Sequence, residues 1–62
     1  MKFVCLFINK RTNERTTKEF TKEEMDKYLG EYVTDRAISR GETNTTYIQK
    51  GDAYKVQIKY LK

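Results

Sequence analysis

The stretch Phe20 to Gly41, FTKEEMDKYLGEYVTDRAISRG, decides the fold. It opens with a capping box. Thr21 stands as the N-cap, and Glu24, three residues on, reaches back to the Thr21 amide. Phe20 before the cap and Met25 at the fourth helical position form the pair of a hydrophobic staple. Met25, Tyr28, Leu29, Tyr32, Val33 and Ala37 then recur in steps of three and four, which places them on one helix face. Gly41 after Arg40 is a stop signal. The pattern predicts one helix over residues 22–38. Gly30 falls on its polar side, where a glycine costs roughly 1 kcal/mol.

Strand signals flank this helix. Residues 2–8 are apolar, β-branched or aromatic from Phe3 to Ile8. Asn9 to Glu14 carries the polar residues of a hairpin loop, and Arg15 to Phe20 is a polar strand whose Lys18 suits a sheet edge. After the helix, Thr43 to Gln49 is Thr-rich and contains Tyr47 and Ile48. Lys50-Gly51-Asp52 supplies a turn. Ala53 to Leu61 alternates: Tyr54, Val56, Ile58 and Tyr60 point one way, and Lys55, Gln57 and Lys59 the other. The expected fold is α+β, a single ββαββ domain over residues 1–62. It has a four-stranded, mainly antiparallel sheet with one helix packed on one face, and strands one and four as the inner pair.

The first strand breaks the pattern of the last. Val4, Leu6 and Ile8 alternate with Phe3, Cys5 and Phe7, so the strand is apolar on both faces. One helix covers one face, so one of these sets faces away from it. An apolar patch ringed by polar groups marks an interaction surface, unless neighbouring Lys stems cover it. The expected partner-contact set is Phe3, Cys5 and Phe7 with Lys55, Gln57 and Lys59 at the rim. A protein partner or a second copy of the chain would close this face.

Composition narrows the chemistry. The chain has 62 residues, 13 Lys and Arg, 9 Asp and Glu, one Cys and no His, Pro or Trp. A chain of this size buries only roughly 60% of the surface it exposes when unfolded. One Cys cannot close an internal disulfide, and with no His there is no zinc site of ordinary composition. No metal, cofactor or small-molecule substrate is expected. General acid–base work at neutral pH usually recruits His, and Cys5 sits within an apolar strand rather than in an electropositive, partly exposed place. A chain this short is also expected to lack a cleft of a few hundred cubic ångströms. An enzyme is therefore not expected. No apolar run approaches the roughly 18 residues that span a membrane. The start lacks a small-residue cleavage site, so the expected location is cytoplasmic.

Charge is polarised. The segment from Lys22 to Asp35 sums to −3, and the rest of the chain to +7. An acidic partner is the complement of that basic part. A nucleic-acid reading assigns phosphates to Lys10, Arg11, Arg15, Lys55, Lys59 and Lys62, with strand-one aromatics stacking on bases.

Phe20-Thr21-Lys22-Glu23-Glu24, following basic strands, resembles the helix start of the N-terminal arm-type DNA-binding domain of phage and transposon integrases. That family places three strands before its helix, where this chain has two. In size and in its Pro-free, Lys- and Thr-rich composition the chain also resembles bacteriophage accessory proteins, many of which bind and inhibit one host protein. That resemblance implies a small non-catalytic inhibitor acting through its sheet face or an edge strand.

Overall fold

A computed structural model describes residues 1–62. Its elements are β1 (Lys2–Asn9), β2 (Arg15–Phe20), α1 (Lys22–Tyr28), α2 (Glu31–Arg40), β3 (Thr46–Lys50) and β4 (Tyr54–Leu61). The strands form one antiparallel sheet in the order β2-β1-β4-β3, with β1 and β4 inside. The class is α+β. The element order is ββααββ rather than ββαββ, because the expected single helix is two.

Gly30 is the reason. Its φ of 97° and ψ of 151° lie where a side chain is strained and glycine is not. The capping box begins α1 as expected: Thr21 Oγ1 accepts from the Glu24 amide at 3.2 Å, and Glu24 Oε1 accepts from the Thr21 amide at 3.0 Å. The helix then closes after two turns. The amides of Leu29 and Gly30 both reach the Met25 carbonyl, at 2.9 and 3.1 Å. Gly30 becomes the N-cap of α2, whose first bond runs from the Thr34 amide to the Gly30 carbonyl at 3.2 Å.

Helical spacing does not carry through such a break. Met25 and Ala37 reach the core, but Tyr28 and Tyr32 stand 53% and 75% exposed, and Thr34 is buried instead. The expected single apolar face therefore fails at the two tyrosines. Each helix carries a polar contact of its own next to the break. Lys22 Nζ lies 3.0 Å from Asp26 Oδ2, and the Thr34 hydroxyl, which donates to the Gly30 carbonyl at 3.2 Å, also stands by Asp26. The Lys22 ammonium holds the Asp26 carboxyl below its ordinary pKa.

The sheet offers one face to the helices. Phe3, Cys5, Val56, Ile58 and Tyr60 from the inner strands meet Met25 and Ala37 in a closed core. Fully burying a side chain such as Phe3 stabilises by about 1.5–3 kcal/mol. Phe20, Leu29, Val33, Ile38 and Ile48 pack around it. The Phe20 ring stacks on Tyr28 with centroids 5.6 Å apart. No helix is long and apolar enough to cross a membrane.

Candidate binding surfaces on the two faces of the sheet

Register assigns each strand residue to a face. Phe3 pairs with Phe20 and Tyr60, Cys5 with Lys18 and Ile58, and Phe7 with Thr16 and Val56. All of these point toward the helices. Val4 pairs with Glu19 and Lys59, Leu6 with Thr17 and Gln57, and Ile8 with Arg15 and Lys55. These point away from the helices.

The outer face is therefore an aliphatic row down β1, continued by Leu61 opposite Lys2. Val4, Leu6, Ile8 and Leu61 are half-buried, and no element lies over them. Lys2, Arg15, Lys55 and Lys59 frame the row, with Glu19 as the single acid on this face. Lys2 Nζ and Glu19 pair at 2.8 Å with both side chains mostly in water. Such exposed pairs contribute little to stability, so the face keeps its basic character.

The expected contact set divides between the two faces. Lys55, Gln57 and Lys59 are on the outer face, but Phe3 and Cys5 are wholly buried in the core and Phe7 is on the helix side. The correction is that Val4, Leu6 and Ile8, not Phe3, Cys5 and Phe7, accompany those three residues. The physical reason is the helix pair, which claims the face carrying the two Phe rings because that face also carries Val56, Ile58 and Tyr60.

Cys5 is a core thiol. Burial pushes its pKa up to about 11, and its Sγ lies 3.7 Å from Met25 Sδ.

Of the basic residues assigned to phosphates, Arg15, Lys55 and Lys59 share the outer face. Lys10 and Arg11 sit beyond the end of β1, in a loop held by Asn9 Oδ1, which accepts from the amides of Arg11 at 2.9 Å and Thr12 at 3.3 Å. Lys10 is tied to the same end of β4 by its amide, 2.7 Å from the Ala53 carbonyl. Lys62 belongs to the opposite end, where its amide donates to Glu42 Oε1 at 2.7 Å. Base stacking by strand-one aromatics is not available on the outer face: its aromatic residue is Tyr47, on the edge strand β3, opposite Gln57.

A second surface lies on the helix side. The helices cover the Phe3 end of the sheet and leave the Phe7 end open. Two adjoining clefts of about 260 and 320 Å³ share Phe7, Lys18 and Lys50. Tyr54 and Thr16 line the first; Phe20, Tyr28, Leu29 and Glu24 line the second. The expectation that so short a chain leaves no space of this size is thereby corrected. The clefts lie where the end of α1, at Tyr28 and Leu29, meets the sheet at Phe7 and Phe20.

Phe7 meets Phe20 and Tyr54 edge-on, with centroids 6.2 and 6.4 Å apart. Lys18 Nζ lies 6.0 Å from the Phe7 centroid, and Lys50 Nζ donates to the Tyr28 carbonyl at 3.1 Å. That bond satisfies a carbonyl at the end of α1 and ties it to β3. The aromatics are legible in the composition, but nothing local in the sequence brings Lys18 and Lys50, from the two edge strands, into one cleft with Phe7.

No family model, curated protein or solved structure matches this chain.

Proposed function

We propose that this chain is a non-catalytic binding protein whose outer sheet face docks on an acidic protein surface with an apolar centre. One observation carries the reading: Val4, Leu6 and Ile8 form an uncovered aliphatic row framed by Lys2, Arg15, Lys55 and Lys59. An apolar centre with a polar rim is the anatomy of a protein interface. A nucleic-acid platform would instead present rings to the bases, and the rings of strand one are on the other face. Complementary charge at the rim would speed encounter and select against basic surfaces. The fate of Cys5 fits the same reading, because a protonated, core thiol is no nucleophile.

The test is capture from a bacterial lysate by the immobilised protein, compared with Leu6→Asp and with Lys55→Glu/Lys59→Glu. Circular dichroism establishes that each variant is folded. One captured species lost by about tenfold or more with Leu6→Asp, the loss expected when a hot spot is removed, supports the reading. Identical capture by all three proteins would overturn it. Anisotropy with labelled oligonucleotides decides the other partner class. Binding that survives 0.15 M salt, an ionic strength with a Debye length of about 8 Å, and that fails in the double Lys variant, would move the face to nucleic acid.

A further inference from the structure

The open end of the helix side collects features that the outer face does not need. Phe7, Phe20, Tyr28 and Tyr54 form a continuous series of ring contacts, with centroids 5.6–6.4 Å apart. Phe7 and Phe20 remain half-buried, and Tyr28 and Tyr54 are exposed. Around them stand Lys18 and Lys50, neither of them in an ion pair; the salt bridges of the protein are Lys2–Glu19 and Lys22–Asp26. Glu24 is the acid in the lining of the second cleft, where its Oε1 accepts from the Thr21 amide at 3.0 Å; the first cleft, with Phe7, Lys18, Lys50 and Tyr54, has no acid in its lining. The adjoining clefts provide about 260 and 320 Å³.

We infer that this cleft binds a nucleoside phosphate, its base lying against Phe7 and Tyr54 and its phosphate held between Lys18 and Lys50. Two arguments select that chemistry. Rings facing open space recognise flat π-systems, and stacking tolerates every base because every base has a π-face. Ammonium groups without an acid partner beside them recognise an anion as point charges; Lys50, with one N–H on the Tyr28 carbonyl, keeps two donors for it, and a neutral aromatic ligand would leave both charges unused. An acidic peptide without aromatic residues satisfies the lysines but brings no ring. The paired clefts also bring four rings together, whereas the hollow of about 270 Å³ on the outer face, beside Lys55 and Gln57, has one, Tyr47. Two sources share this chemistry: a free nucleotide and one unit of a single strand.

The experiment is an amide NMR titration of the whole chain with adenosine monophosphate, adenosine, inorganic phosphate, a short single-stranded oligoadenylate and an oligoglutamate peptide. The expected result is that the monophosphate shifts the amides around Phe7, Lys18, Lys50 and Tyr54. Adenosine and phosphate should each bind about tenfold more weakly or less, as removal of one contributing group implies. Lys18→Gln and Tyr54→Ala should each weaken the monophosphate by about fivefold or more, while Lys59→Gln on the opposite face leaves it within about twofold. If Tyr54→Ala does not fold, Lys18→Gln and Lys50→Gln decide. An oligoadenylate that binds more tightly than the monophosphate at the same amides identifies a single strand as the source. Equal or weaker binding identifies the free nucleotide. The proposal is overturned if neither adenine phosphate shifts these amides, if inorganic phosphate or oligoglutamate shifts them as strongly, or if the shifts fall on Val4, Leu6 and Lys59 instead.

Discussion

Cys5 shows how far one residue can be read before its surroundings are known. Its apolar neighbours in sequence mark it as a core thiol, and it is wholly buried beside Met25. The strand alternation alone also puts it in the expected contact set, because it shares a strand face with Phe3 and Phe7. Neighbours along the chain report polarity; they do not report which face is covered. Burial raises the thiol from an ordinary 9.0 to about 11, so the folded state holds its proton more tightly than the unfolded chain does. Stability from this source is complete below pH 9 and is lost as pH rises toward 11. The gap in unfolding free energy between the wild type and Cys5→Ala should therefore narrow by about 1 kcal/mol from pH 8 to pH 10. Urea titrations at the two pH values measure it, and a constant gap would mean that the thiol is open to water. A thiol reagent should likewise leave native Cys5 unmodified and label it once urea unfolds the chain.

At the scale of elements, the capping box was legible and the helix break was not. Thr21 and Glu24 are local signals, made by residues three apart, and the structure forms both bonds. Gly30 is also a local signal, but a glycine within a helical pattern costs little and reads as tolerated. What decides it is the direction that α2 must take to set Thr34 and Ala37, rather than Tyr32, against the sheet. Gly30→Ala is expected to destabilise the protein by about 1–3 kcal/mol, even though an added Cβ at Gly30 would touch nothing within 4 Å. The cost lies in the backbone, at φ 97°. Urea unfolding checks the magnitude. An unchanged midpoint would mean that the chain can continue one helix through residue 30.

Across the whole molecule, four cations of the basic remainder gather on the outer sheet face, opposite the exposed acids of the helices. Lys2, Arg15, Lys55 and Lys59 share the outer face with one acid, Glu19, while Glu23, Glu31 and Asp35 are exposed on the helices. Two copies meeting outer face to outer face would oppose four cations to four, which costs more than the shared aliphatic row returns unless the charges interleave. The chain is therefore expected to sediment as a monomer of 7.4 kDa at physiological salt. Charge-neutral Lys55→Gln/Lys59→Gln should associate more readily. Twice the monomer mass for the wild type would replace the acidic partner by a second copy.

Alternation and capping chemistry are carried by near neighbours, so residue order alone determined the strand at Tyr54–Leu61, both hairpins, the helix start at Thr21 and the double-faced character of strand one. Only the tertiary structure decided which face of that strand is covered, because both faces are apolar and the choice is made by distant partners, Val56, Ile58, Tyr60, Met25 and Ala37. The same long-range packing turned Gly30 from a tolerated residue into a corner. The sheet likewise brought the half-buried Phe7 and the exposed Tyr54 beside two lysines that are 32 positions apart in the chain, Lys18 and Lys50.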